Sequence, residues 1–391
     1  MTTFDADAFT LDSLRRRSSA KWRYYEADVI PAWVAEMDFP LADPIAQVLH
    51  EAIDASDLGY RWVGELPDAL AEFSLEAWGW TIDPAHVLAL PDVLTCIAQT
   101  IDAFTEVGDG VVINSPVYPP FFSTVRDITR RVIVDVPLLR DDQGNYDVDI
   151  DGLAAAFARP DVTAYLLCSP HNPTGTTPTA DQLRAIGDLA LRHNVMVIAD
   201  EIHAPLAHPG TVHTPFLAAA PDGLVAVSLV SASKAWNIAG IKCAQVVAGS
   251  QSVMDTLTER VPLEATYATG HLGVLAAIAA YRRGGPWLDQ VRDLIARNSQ
   301  DVHRAVSAEM PGVRYAPPAS SYLGWLDFSE TSVRDDPAAF FLEEARIGLS
   351  PGHTFGAGGE GFVRLNFGTS PAILAEILER MGAALSARGE A

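Results

Sequence analysis

What most constrains this chain is the alternation of short apolar, β-branched runs with helix-patterned stretches over residues 90–250. The pattern predicts strands at 111–114, 132–136, 163–168, 195–199, 224–230 and 244–248. Helical patterns at 94–104 and 179–193 lie between them, the second opened by Thr179 as N-cap with Gln182 as its capping-box partner. Such alternation builds an α/β core around a mostly parallel sheet. Beyond about residue 280 the texture changes. A long helix at 287–309, strands at 312–316, 322–327 and 362–367, and a closing helix at 371–387 describe a smaller α+β lobe. With 391 residues, 49% of them hydrophobic, the chain exceeds what one core usually serves. The expected division is a large domain at 46–280 and a small domain combining 1–45 with 281–391.

Charge excludes several partners. Against 50 Asp and Glu stand 27 Lys and Arg, a net charge of −23, which repels nucleic acid and anionic membrane surfaces. A phosphate-bearing ligand must then be held locally, by backbone N–H groups and a few placed cations. No apolar run reaches the roughly 20 residues that span a bilayer, and the acidic stretch from Met1 to Asp12 has no apolar signal core, so a cytoplasmic protein is expected. Cys96, Cys168 and Cys243 are too scattered for a disulfide framework or a zinc cluster and read as buried hydrophobes. The spacings of His203, His208 and His213 fit no helical metal pair. Gly356, Gly358 and Gly361 spell a dinucleotide fingerprint, but a strand-like run follows where a helix is required, so the segment 351–361 reads as a Gly-rich, mobile loop.

Three residues at expected strand ends carry chemistry. Lys234, in Ser231-Ala232-Ser233-Lys234, follows an apolar strand; partial desolvation there lowers an amine's pKa and frees it to attack an aldehyde. Asp200 ends the most apolar run, where a carboxylate can pair with a pyridinium N–H and keep that ring an electron sink. Asn172, in Ser169-Pro170-His171-Asn172-Pro173-Thr174-Gly175, sits on a proline-stiffened turn and can donate to a ring oxygen. Singly, Lys234 reads better as a solvated surface charge and Asp200 better as a helix cap or turn residue, and a plain turn is the alternative for Asn172.

Taken in order, Asn-Pro-x-Gly, Asp-x-x-His and Ser-x-Ser-Lys resemble the fold-type I pyridoxal phosphate (PLP) enzymes, the aspartate-aminotransferase superfamily, over nearly the whole chain. The resemblance implies a seven-stranded, mostly parallel sheet and a homodimer with the cofactor at the subunit interface. It implies that Lys234 carries PLP as a Schiff base and moves the Cα proton. Asp200 would pair with the ring nitrogen, Asn172 and His203 would meet the ring oxygen, and Tyr118 would stack on the ring. Val93 and Leu94 backbone N–H groups, with Ser231, Ser233 and Lys242, would hold the phosphate. Arg364 would clamp the substrate carboxylate, and Tyr60 would reach the partner subunit's cofactor.

Finer segments are similar to the MalY/PatB cystathionine β-lyases: Trp33-Val34-Ala35-Glu36-Met37-Asp38-Phe39, Pro116-Val117-Tyr118-Pro119-Pro120-Phe121, Trp236-Asn237-Ile238-Ala239-Gly240 and Tyr322-Leu323-Gly324-Trp325-Leu326-Asp327. They imply β-elimination from L-cystathionine or a cysteine S-conjugate, with no nucleic-acid or membrane partner. Residue chemistry alone does not separate this from an aminotransferase, because Lys234 serves both, and a PLP-fold protein acting mainly as a regulatory partner is a further alternative. Three positions depart from the family pattern: Asp92 where a Gly often opens the phosphate turn, Pro205 in place of an acidic residue, and Ser370-Pro371-Ala372 after Arg364.

Overall fold

A computed structural model describes residues 4–389. Its centre is a seven-stranded sheet built from β1 (Val87–Leu90), β2 (Gly110–Ile113), β3 (Val132–Asp135), β4 (Val162–Cys168), β5 (Met196–Asp200), β6 (Ala226–Val230) and β7 (Ala244–Ala248), in the order β1-β7-β6-β5-β4-β2-β3. All neighbours pair in parallel except β7, which is antiparallel to both β1 and β6. Strands β2, β5, β6 and β7 are buried at every residue, which is why they read as continuous apolar runs rather than alternating ones. Val111, Leu166, Ile198 and Leu229 enter the core on one face of the sheet. Val112, Leu167, Val197 and Ala226 enter that on the other.

The sequence missed β1. It has only four residues, one of them β-branched, and Pro91 follows directly. Its place comes from pairing with β7, Leu90 opposite Ala244, a contact that local pattern does not encode.

Helices α1 (Asp43–Asp54), α2 (Leu66–Trp78), α3 (Val93–Phe104), α4 (Ala180–His193), α5 (His271–Arg283), α6 (Gly285–Glu309) and α7 (Pro371–Arg388) complete the frame relevant here. In α4, Leu183, Ile186 and Ala190 fall on one stripe and bury against the sheet. Its capping box forms as expected: the Gln182 N–H donates to Thr179 Oγ1 at 3.3 Å, and the Thr179 N–H donates to Gln182 Oε1 at 2.8 Å. Thr179→Ala should therefore cost about 1 kcal/mol, read as a lower denaturant midpoint with the slope unchanged.

A second, antiparallel sheet of order β8-β9-β11-β10 contains β8 (Arg314–Tyr315), β9 (Leu323–Asp327), β10 (Ser350–Pro351) and β11 (Phe362–Asn366). The N-terminal segment joins it, Ile30–Pro31 pairing in parallel with Ile347–Gly348. The Gly-rich run before β11 is closely packed. A Cβ on Gly352 would stand 2.2 Å from the Gly359 carbonyl oxygen, and the Val117 N–H donates to the Phe355 carbonyl at 2.8 Å. Its glycines permit close approach, and the strand that follows excludes the dinucleotide reading. Among the described residues, no helix is long and apolar enough to cross a membrane.

Candidate active site

Strands β1, β2, β4, β5 and β6 all run in one direction, so their carboxyl ends meet at one edge of the sheet, where open α/β folds bind ligands. There they deliver Asp92 with α3, Tyr118, Asn172, Asp200 with His203, and Ser231 with Lys234. These residues, with Val93, Leu94, Ser233, Lys242 and the carbonyl-bearing Ala35, line a cavity of about 170 Å³. Cys168 and Cys243 also face it, as buried free thiols.

Lys234 follows β6 in the short helix Ala232–Ala235, capped by Ser231. Burial pushes its amine down to about 8, and the cationic Arg364 adds to the effect. Its Nζ donates to the Ala35 carbonyl at 3.0 Å. Asp200 is 5% exposed, and its carboxylate accepts the Ile202 N–H at 3.1 Å. Burial raises it to about 7, with neighbouring Glu201 adding to the rise. Among the described residues no cation pairs with it directly. A buried carboxyl in this state fits an incoming cationic N–H, because the ligand would supply the missing counter-charge.

Asn172 is held from one side only. Its Oδ1 accepts from Arg364 Nη1 at 3.0 Å, which turns the amide nitrogen away as a donor. Gly175 fixes the turn: φ is +69°, and a Cβ there would stand 2.2 Å from Pro318 Cβ. Arg364, on β11, also donates to the Trp33 carbonyl at 2.8 Å and to Ser350 Oγ at 3.2 Å, while its buried Nε has no partner. Burial lowers Arg364 to about 10, still cationic at neutral pH. An unpartnered buried guanidinium nitrogen fits a carboxylate-bearing ligand.

The residues expected to hold a phosphate gather at the N-terminus of α3. Ser231 Oγ donates to the Cys243 carbonyl at 2.7 Å, and the Ser233 N–H donates to Ser231 Oγ at 3.1 Å. The departure at Asp92 has a visible consequence: its carboxylate caps α3 through the Thr95 N–H at 2.9 Å and pairs with Lys242 Nζ at 2.9 Å. Burial would raise Asp92; the Thr95 N–H and Lys242 outweigh it and hold the carboxyl below its usual range. Lys242, expected to face a phosphate, is thus shared with Asp92.

Tyr60 stands apart from this cavity, 93% exposed on the surface of its own chain. Four contributors escaped the sequence reading. Ala35 offers only a carbonyl. Asn237 clasps Met37 through both the backbone N–H and the carbonyl, each at 2.8 Å. Asn366 Nδ2 donates to the Val34 and Glu36 carbonyls, both at 2.7 Å. Together with Arg364 they fasten the segment 33–37 over Lys234. Asn366 was findable, since it lies two residues beyond Arg364 on one strand and therefore on its face. The fourth, Ser321, bonds His203 (Ser321 Oγ to Nδ1, 3.1 Å).

Of the histidines considered as metal ligands, His203 meets Ser321 Oγ at 3.1 Å, and both ring nitrogens of the buried His213 lack a hydrogen-bond partner among the described residues. His208 Nε2 lies 2.6 Å from the Ser321 carbonyl, and His213 lies 3.5 Å from Glu201. Among the described residues, no group of three or more His, Cys, Asp or Glu is placed to hold a metal ion.

A mixed seven-stranded sheet, a depressed lysine at a strand end, and carboxylate, amide and guanidinium groups around one cavity define the aminotransferase type of fold. The chain belongs to the class I and II aminotransferase family, whose model matches residues 55–381, and within it to the cystathionine β-lyase branch. The Bacillus subtilis protein named cystathionine beta-lyase PatB is 37% identical, covering 92% of this chain and 93% of its own. A Corynebacterium glutamicum cystathionine beta-lyase is 31% identical over 96% and 99% of the two chains. Cystalysin from Treponema denticola, whose crystal structure contains a pyridoxal 5'-phosphate cofactor, superposes with a TM-score of 0.92 at 28% identity, covering 99% of this chain and 100% of that one.

Proposed function

We propose that this chain is a PLP-dependent carbon–sulfur lyase that converts L-cystathionine, or a related cysteine S-conjugate, with water into a thiol (homocysteine from cystathionine), pyruvate and ammonia. The observation that carries the reading is the pairing of a depressed lysine with a buried, uncompensated carboxylate across one cavity. Near full-length similarity to cystathionine β-lyases supports the elimination branch.

Bound in this cavity, PLP supplies an electron sink conjugated to the substrate Cα. The chain's residues do the rest. Asp200 would hold the proton on the ring nitrogen. Asn172 would donate from its amide, and Tyr118 would cover the ring. The N-terminus of α3, the Ser231 and Ser233 hydroxyls and Lys242 would hold the phosphate. Arg364 orients the substrate carboxylate so that its Cα–H faces Lys234. With a pKa near 8, Lys234 is neutral often enough to accept that proton and acidic enough to return one. The Cβ–S bond then breaks, the sulfur leaves with the bonding pair and takes up a proton, and water releases the remaining three-carbon fragment as pyruvate and ammonia.

Purified protein with L-cystathionine should yield equal amounts of homocysteine, pyruvate and ammonia with no keto acid added. Strict dependence on an added keto acid would overturn the lyase reading in favour of transamination.

The proposal extends to assembly. Tyr60 and Trp62 are 93% and 81% exposed, with Leu58, Leu263 and Tyr267 also exposed. A second copy covering them would place Tyr60 at the other copy's cavity. The domains proposed are 46–280, and 1–45 with 281–391, with the cofactor between them and the protein working in the cytoplasm.

A further inference from the structure

His203 ends the turn that begins at Asp200, lines the cavity and is buried. A neutral imidazole has one N–H, and which nitrogen carries it decides whether the cavity sees a donor or an acceptor. The structure partners one nitrogen: Ser321 Oγ lies 3.1 Å from His203 Nδ1. The Tyr322 ring stands edge-on to the same imidazole at 6.3 Å, while Ser320 Oγ approaches the backbone carbonyl of His203 at 3.5 Å.

Ser321 is an odd residue to find there. Its φ is +72°, a left-handed conformation that favours glycine, and it is 2% exposed. Its backbone is fixed on both sides: the N–H donates to the Leu206 carbonyl at 3.0 Å, and the carbonyl lies 2.6 Å from His208 Nε2. The strained position thus keeps a side chain whose hydroxyl meets His203. Strain held at a ligand site is a sign of function when the outlier itself is observed.

We propose that Ser321 is a positioning residue that fixes the tautomer of His203: its hydroxyl donates to Nδ1, so that Nε2 carries the proton and serves the cavity as a donor to an anionic ring oxygen. This rests on the PLP reading for the identity of that oxygen, while the tautomer itself is a property of the chain. The surroundings agree with a neutral ring. Burial drives His203 down to about 3, and the cationic Lys234 and Arg364 press in the same direction.

The test uses Ser321→Gly, which removes the hydroxyl at a backbone position that glycine favours, so the fold is spared. In ¹⁵N-imidazole spectra of the full chain, with His203 assigned by difference against His203→Gln, the wild type should show the proton on Nε2, and Ser321→Gly should show it redistributed between the nitrogens. In the PLP-loaded protein, losing an oriented donor to the ring oxygen should move the pH midpoint of the visible absorbance up by about one unit. A wild-type proton on Nδ1, or a tautomer unchanged in Ser321→Gly, overturns the proposal. Ser321→Ala, which keeps the strain but lacks the hydroxyl, should match Ser321→Gly in both readouts; wild-type behaviour in it overturns the proposal too. A protein that develops no visible band with PLP would count against the cofactor reading and leave the tautomer measurement standing.

Discussion

Lys234→Ala is expected to lose β-elimination by about 10⁴-fold, the upper range for removing a positioned proton-transfer group. The variant should still take up PLP, because the Asp200 carboxylate, the N-terminus of α3 and Ser231 all remain. The visible band of wild type, which borohydride should bleach, should be absent or displaced, since no side-chain amine is left to bond the aldehyde. Lys234→Arg should be nearly as inactive: it keeps a cation beside Asp200 but remains protonated and cannot accept the Cα proton. A small primary amine added to Lys234→Ala should restore part of the activity, whereas added salt of equal ionic strength should not. Turnover above a tenth of wild type in Lys234→Ala would move the catalytic base elsewhere.

The same residue shows how far the sequence was legible. Lys234, Asp200 and Asn172 could be read because each follows an apolar strand in the order that the cofactor's chemistry requires, and the structure does bring all three to one edge of the sheet. What surrounds them was less legible for a physical reason. The groups that complete the cavity are backbone carbonyls and amides, which every residue has. The Ala35 carbonyl meets Lys234 from 199 positions away in the chain. Asp92 and Lys242, 150 positions apart, could each be assigned to the phosphate cup, but not to each other. Ser321 is one serine among many until its φ and its distance to His203 are known. The strand Val87–Leu90 failed for the same reason, its identity coming from its neighbour. Side-chain chemistry at strand ends is thus local enough to read, while the contacts that tune it are tertiary.

Asp200→Asn should separate what Asp200 does for catalysis from what it does to stability, with opposite signs. Catalysis should fall by about 10²–10³-fold, comparable to losing one preorganised electrostatic partner of the reacting centre, because an amide does not hold a proton on the ring nitrogen. Without cofactor, the variant should be the more stable protein above neutral pH. Burial raises Asp200 from 3.8 to about 7, so the folded chain holds this proton more tightly than the unfolded one. That contribution favours folding fully below about pH 4 and is lost as pH rises through about 7. Beyond this the buried carboxylate costs roughly 4 kcal/mol relative to a neutral side chain, by the conversion of about 1.4 kcal/mol per unit. Lys234 acts in a separate window. Its pKa is lowered from 10.5 to about 8, so its contribution is present above 10.5 and is lost as pH falls through about 8. Thermal melts of the cofactor-free proteins should therefore diverge between pH 4 and 7, with Asp200→Asn higher at pH 7–8. Adding PLP should reverse that order, because the carboxylate then meets its counter-charge and the variant's amide does not. A stability difference independent of pH, or one that PLP leaves unreversed, would mean that Asp200 is not the ring-nitrogen partner.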